Sequence, residues 1–334
     1  MKYFLCNERI KGRNLLCCTL LFLCCVSSLS AKPVLKFNNH KFKIVQFTDL
    51  HLINSPEYKK GNDSTLELIK TIVEIEKPDL VVFTGDVVVS HKAADEWKEL
   101  IQPLSDLKIP FAVTFGNHDT ETDITKQQTL KILQANPYNM TSDESSAGAG
   151  VGNYTVTIKS SDDKTNKWVL YFFDSHAYPR DTTLGSYDWI KNSQVQWYRN
   201  KSAEFTHKER KILPSLAFFH IPVPEYEYLR LQNTTIGNKI ETVCSPFYNS
   251  GLFVSFIEMG DVSGVFVGHD HNNDFAGVLA NICLAYGRKT GYNAAYKEVL
   301  ERGARVIELN ENQNKFTTYI RTLSGTDFLL THKR

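Results

Sequence analysis

The sequence predicts an α/β protein with mixed β-sheets, and three observations predict it. Six apolar runs of strand length, rich in Val, Ile and Phe, recur along the chain: Phe42 to Phe47, Leu80 to Phe83, Phe111 to Phe115, Trp168 to Phe173, Leu216 to Phe219 and Val262 to Val267. A stretch of helical spacing lies in each gap between them. After His271 the helical spacing stops and strand patterns follow one another. Near-continuous apolarity in the runs indicates strands covered on both faces.

The elements follow in order. Ser64 to Lys77 places Leu66, Ile69 and Val73 at helical spacing, with Asp63 or Ser64 as cap and Pro78 as stop. Ala93 to Leu107 is a second helix, kinked or broken near Pro103. Asp123 to Ala135, Ser193 to Glu204 and Gly251 to Met259 are the third to fifth. Asn153 to Ser160 and Lys167 to Phe173 flank a polar turn and read as a hairpin. Ala276 to Tyr286, Ala304 to Leu309 and Phe316 to Leu323 read as antiparallel strands.

Of 334 residues, 42% are hydrophobic and 22% charged, which excludes disorder, collagen and small disulfide scaffolds. No repeat or linker divides the chain, so one domain is expected over 31–334. Residues 1–14 carry Lys2, Arg9, Lys11 and Arg13, Leu15 to Val26 is an unbroken apolar run, and Ser27 to Ala31 are small apart from Leu29. That order reads as a signal peptide over 1–30. The alternative is a retained anchor, since the 17 uncharged residues from Leu15 to Ala31 just reach the roughly 17–25 that span a bilayer. The leader holds four basic residues and Glu8, so removing it leaves 34 basic against 36 acidic residues, a net −2. That balance gives no footprint for nucleic acid. It also leaves Cys244 and Cys283, either paired or as two separate buried thiols. Sequons at Asn62, Asn139, Asn153, Asn200 and Asn233 suggest a glycosylated protein of the secretory pathway, extracellular or vacuolar/lysosomal, with no stable membrane insertion after cleavage.

Polar residues fall where five of the apolar runs end. Those ends carry Asp49 and His51; Gly85-Asp86; Gly116-Asn117-His118-Asp119; His220; and Gly268-His269-Asp270-His271. In open α/β sheets, ligands bind beyond the carboxyl ends of strands. Asp and Asn oxygens with imidazole nitrogens, and no thiolate, suit Mn, Fe or Zn. Each piece alone has a bland reading as a turn or a core histidine. Together they exceed what one ion needs, and two ions sharing a carboxylate would use them all.

This series resembles that of the calcineurin-like metallophosphoesterase superfamily. Phe219-His220-Ile221-Pro222, Gly268 to Phe275 and Tyr286 to Tyr292 are similar to its purple acid phosphatase 29-like subgroup, which includes secreted and fungal phosphatases. The resemblance implies a four-layer αββα sandwich of two mixed β-sheets flanked by helices. It implies two divalent or mixed-valence transition-metal ions (Mn, Fe or Zn). Carried over by motif, Asp49, His51 and His271 bind one ion, Asn117, His220 and His269 the other, and Asp86 bridges them. His118 faces the leaving group and Asp119 orients its ring. The implied activity is hydrolysis of phosphomonoesters, on small molecules or phosphoproteins, by a hydroxide held between the ions. A phosphodiesterase and a catalytically inactive binding protein are the alternatives. Arg288 and Lys289, in a Gly-flanked loop, are candidates for substrate phosphate, against a reading as surface loop charge. His176 falls outside the motif series and reads as structural. One departure stands out: purple acid phosphatases place a Tyr three residues after the bridging Asp, where this chain has Val89, and have Gly where it has His51. No iron–tyrosinate colour is therefore expected.

Overall fold

A computed structural model describes residues 32–145, 148–295 and 299–333. The expected leader lies outside the described residues. Strand β1 (Lys41–Phe47) is followed by α1 (Lys59–Glu76), β2 (Leu80–Thr84), α2 (Ala93–Asp106), β3 (Phe111–Thr114) and α3 (Lys126–Gln134). The second half holds the hairpin β4 (Tyr154–Lys159) and β5 (Asn166–Phe172), then α4 (Asn192–Glu209), β6 (Ser215–Phe218), α5 (Glu225–Arg230), α6 (Leu252–Met259) and β7 (Val262–Val267). Strands β8 (Ala276–Leu279), β9 (Ile282–Tyr286), β10 (Gly303–Asn310), β11 (Lys315–Thr322) and β12 (Thr326–Lys333) complete it.

The strands form two six-stranded sheets, ordered β12-β11-β10-β1-β2-β3 and β4-β5-β6-β7-β9-β8. Both are mixed. In the first, β1, β2 and β3 run parallel and β10, β11 and β12 antiparallel to their neighbours. In the second, β5, β6, β7 and β9 are parallel and β4 and β8 are antiparallel edges.

The pleat explains why the runs are mostly apolar on both faces. Phe42, Ile44, Leu80 and Val82 face the second sheet and meet Leu170, Phe172, Phe218 and Phe266 in a core between the sheets. Val45, Phe47, Val81 and Phe83 face the other way, onto Ile69 and Ile72 of α1 and Trp97 and Leu100 of α2. Tyr171, Ala217 and Val265 likewise meet Tyr198 of α4, Leu229 of α5 and Phe256 of α6. Three cores between four layers give the αββα sandwich.

Local chemistry moved several boundaries. α1 begins before Asp63, which instead pairs with Lys59 one turn back. α2 runs through Pro103, which falls in its final turn and so interrupts little. Asp123 does not open α3. Its carboxylate accepts the Lys92 and Ala93 amides at the start of α2, while Thr125 and Gln128 form the capping box of α3. The sequence reading missed α5 and β12.

Three of the sequons do not lie on the surface. Asn62, Asn139 and Asn153 are buried, and their side-chain amides donate to Ile53 O, Thr141 O and Ala149 O. Asn200 and Asn233 are exposed. Cys244 and Cys283 are both free thiols, the second packed between the sheets. No helix among the described residues is long and apolar enough to cross a membrane.

Candidate dinuclear metal centre

The two sheets converge at one end of their parallel strands. Gln46 of β1 donates across to Val267 O of β7 at 3.0 Å and to Thr84 Oγ1 of β2 at 2.8 Å. The loops that leave β1, β2, β3, β6 and β7 therefore meet. Their backbones are unusual there: Asp49, His51, Asp86 and His269 all have left-handed φ, between 47° and 80°. Such strain persists only when neighbours over-determine it, and it concentrates at functional sites. Here Asp49 N donates to Gly85 O and His51 N to Asp86 O. Glycine next to a ligand has a purpose: a methyl group at Gly116 would lie 2.2 Å from Asp86 Oδ1.

The side chains form two groups that share one member. Donor atoms of Asp49, His51, Asp86 and His271 lie within 4.8 Å of one another, as do those of Asp86, His220 and His269. Asp86 Oδ2 is 3.2 Å from His220 Nε2 and 3.7 Å from His51 Nε2, and Asp49 Oδ1 is 3.3 Å from His271 Nε2. The Asp86 Oδ1 accepts the His118 amide at 2.8 Å. Asp49 Oδ2 accepts from Thr48 Oγ1 at 2.8 Å.

The residues fit a pair of cations. His220 Nδ1 sits 2.7 Å from Thr84 O, an acceptor only, so it carries the proton and Nε2 presents its lone pair toward the Asp86 carboxylate. A lone pair facing a carboxylate needs a cation between them. His51 Nε2, His269 Nε2 and Asn117 Oδ1 are buried without a hydrogen-bond partner, an arrangement costly for polar atoms with nothing to bind. Asn117 Nδ2 donates to Tyr178 OH at 3.0 Å, which turns Oδ1 the other way.

The electrostatics agree. Burial lowers the pKa of His51 to about 4 and, with the neighbouring His220, that of His269 to about 3, so both rings are neutral donors at physiological pH. Burial alone would raise Asp49 and Asp86, but facing imidazoles outweigh it and hold both carboxyls well below the usual range. Burial alone would lower His220, but Asp86 holds it up at about 9; without metal, a proton takes the cation's place.

Comparison with known proteins gives this centre a family. The calcineurin-like phosphoesterase model matches residues 42–273, from β1 through the last histidine of the cluster. The chain belongs to the calcineurin-like phosphoesterase family.

It is 35% identical to "Probable inactive purple acid phosphatase 29" of Arabidopsis thaliana, over 87% of this chain and 83% of that one. It is 34% identical to "Phosphatase DCR2" of Saccharomyces cerevisiae, over 86% of this chain and 54% of that one. Among solved structures, a dimetal phosphatase from Danio rerio superposes with a TM-score of 0.62 at 13% identity, over 87% of this chain and 98% of that one, and shares the fold.

Within this calcineurin-like phosphoesterase, six of the seven candidate ligands, Asp49, His51, Asp86, His220, His269 and His271, gather at one place, and Asn117 precedes His118, whose amide donates to Asp86 Oδ1. His118 stands beside them, its ring centroid 5.4 Å from that of His51. Asp119 does not orient that ring. Its Oδ1 accepts the Val87 and Val88 amides and its Oδ2 the Gly116 amide, pinning the loops after β2 and β3 together. Burial and the charge of Asp86 raise its pKa to about 6. The carboxylate on His118 is Glu121, whose Oε2 lies 2.8 Å from Nδ1. Glu121 follows His118 by three residues across a short 3-10 turn, a spacing that brings side chains together.

Arg288 and Lys289 are not surface charges. Both are buried. Arg288 pairs with Asp274 through Nε at 2.7 Å and donates to Glu301 O. Lys289 donates to Ala295 O, and burial with the nearby Arg302 lowers its pKa to about 8. Their loop folds back under the end of β1, where Thr290 N donates to Thr48 O. His176 Nε2 is held 2.7 Å from Gln194 Oε1. Besides Glu121, the sequence reading missed Tyr178 and Tyr187. The Tyr187 ring packs edge-on against His269 with centroids 4.5 Å apart.

Proposed function

We propose that this protein is a secreted, dinuclear-metal phosphomonoesterase. The single observation that carries the reading is the sharing of Asp86 between two groups of buried donors, which gives two cations one bridging carboxylate. In this reading Asp49, His51 and His271 hold one cation, and Asn117, His220 and His269 hold the other. The donor set suits Mn, Fe or Zn. When bound, such a pair supplies Lewis acidity toward phosphoryl oxygens and acidifies water at neutral pH. The chain does the rest. The rigid strand ends fix the ligands, and Thr84 O fixes the His220 tautomer. His118, beside the cluster and partly open to solvent, donates a proton to the leaving oxygen. Residues 1–30 act as a secretory leader, and the substrate is a small phosphate ester or a phosphoprotein.

The name of the plant relative includes "inactive", and that favours a second reading: a binding protein that keeps the fold. The retained ligand set argues against it, since an inactive relic has no need to keep six donors gathered at one place.

The test is hydrolysis of 4-nitrophenyl phosphate and bis(4-nitrophenyl) phosphate by the purified protein, after chelation and after return of Mn, Fe or Zn. Metal-restored turnover of the monoester, abolished by Asp86→Asn, is expected. Faster diester turnover makes the protein a phosphodiesterase. No turnover by folded, metal-loaded protein makes it a binding protein.

A further inference from the structure

We propose that Glu121 is the positioning residue for His118, acting with Tyr178. The inference rests on the reading of the site as a phosphomonoesterase. Three hydrogen bonds carry it, and they form one chain. Glu121 Oε2 lies 2.8 Å from His118 Nδ1, and Glu121 Oε1 accepts from Tyr178 OH at 2.9 Å. Tyr178 OH accepts from Asn117 Nδ2 at 3.0 Å. The chain runs from a metal-ligand candidate to the proton donor without touching the metal cluster's carboxylates.

Other carboxylates cannot take the role. Asp119 spends both oxygens on three backbone amides. Asp86 Oδ1 is bonded to the backbone amide of His118, not its ring. Val89, three residues after Asp86, offers no polar atom beyond its backbone. Glu121 is itself tied from both sides, by Tyr178 and by its own amide, which donates to His118 O at 3.0 Å. A carboxylate with two fixed oxygens fixes the ring plane of the imidazole it faces, and it requires the proton of that nitrogen to sit on Nδ1. Nε2 is then the nitrogen left to serve the substrate.

In the step, a water oxygen bonds to phosphorus as the P–O bond to the leaving group breaks. The proton on His118 Nε2 passes to the leaving oxygen, and the proton released by the attacking water returns through solvent. Glu121 keeps its hydrogen bond throughout and takes no proton. The His118 and Glu121 side chains are 37% and 47% exposed, so solvent screens their charges. Glu121 therefore acts by orientation, and its loss costs about tenfold, against the 10²–10⁴ typical of removing a general acid.

The test compares esters that differ in their need for a proton. In Glu121→Gln, turnover of glycerol phosphate, whose alkoxide needs protonation, falls about tenfold. Turnover of 4-nitrophenyl phosphate, whose leaving group departs unaided, falls less than about twofold. His118→Ala shows the same pattern more strongly, and the double variant is no worse than His118→Ala alone. Independently of turnover, ¹⁵N NMR of the His118 ring, assigned with His118→Ala, shows a protonated Nδ1 in the unsubstituted protein and a mixed tautomer in Glu121→Gln. Equal losses on both esters, additive variants, or ring nitrogens unmoved by Glu121→Gln overturn the proposal. Absence of turnover by the unsubstituted protein defeats the phosphoesterase reading instead, and the NMR result still decides the role of Glu121.

Discussion

Replacing Asp86 with Asn separates metal binding from folding. The Oδ1 contact to the His118 amide survives the change. The new amide nitrogen takes the place of Oδ2, 3.2 Å from His220 Nε2. Because His220 Nδ1 already donates to Thr84 O, Nε2 can accept that N–H, and a neutral hydrogen bond replaces the ion pair. The metal-free variant is therefore expected within about 1 kcal/mol of the parent. The metal-loaded protein behaves differently. At a hundred times Kd each ion adds about 2.7 kcal/mol. Unfolding entropy for roughly 300 residues is about 0.6 kcal/mol/K, so each ion raises Tm by about 4 °C and two by about 9 °C. Losing the shared carboxylate removes at least one ion, leaving a shift of about 4 °C or less. Differential scanning calorimetry with and without Mn or Zn, paired with metal analysis, reads this directly. A variant that still binds two ions and shows the full shift refutes the bridging role of Asp86.

Three further predictions follow from the same geometry. Gly116→Ala forces a methyl group against Asp86 Oδ1, so metal content falls in a titration while far-UV circular dichroism is unchanged. Burial would raise the pKa of Glu76, but hydrogen bonds from Lys43, Arg321 and Tyr319 outweigh it and hold it below the usual value of 4.5. A depressed carboxyl stabilises the fold above the unfolded pKa and loses that stability as pH falls through the folded one. Glu76→Gln therefore costs about 2 kcal/mol in urea unfolding at pH 7, less than a fully buried pair because Lys43 and Arg321 are partly exposed, and the difference closes as pH falls through the lowered carboxyl range. Iron-loaded protein should show no visible charge-transfer band, since Val89 stands where a tyrosinate would sit; a purple colour would contradict this.

The layers were legible because the pleat buries both faces of β2 and β7 and most of β1, which makes these strands largely apolar. The candidate ligands were legible because each sits just past such a strand, and their types limit the chemistry. What was not legible depended on contacts distant in the chain. Arg288 lies in a Gly-flanked loop and reads as a surface charge, but it pairs with Asp274 beneath the sheet end. Asn62, Asn139 and Asn153 match a three-residue pattern that carries no information about burial. Asp119 is adjacent to His118 in the motif, yet its side chain turns inward to amides while the His118 ring turns to Glu121. The β12 edge strand is half exposed and lacks a continuous apolar run.

Anomalous scattering from crystals soaked in Mn or Zn tests the central claim most directly. Two peaks are predicted on either side of Asp86, one among Asp49, His51 and His271 and the other among Asn117, His220 and His269. A single peak, or peaks that do not share Asp86, would contradict it.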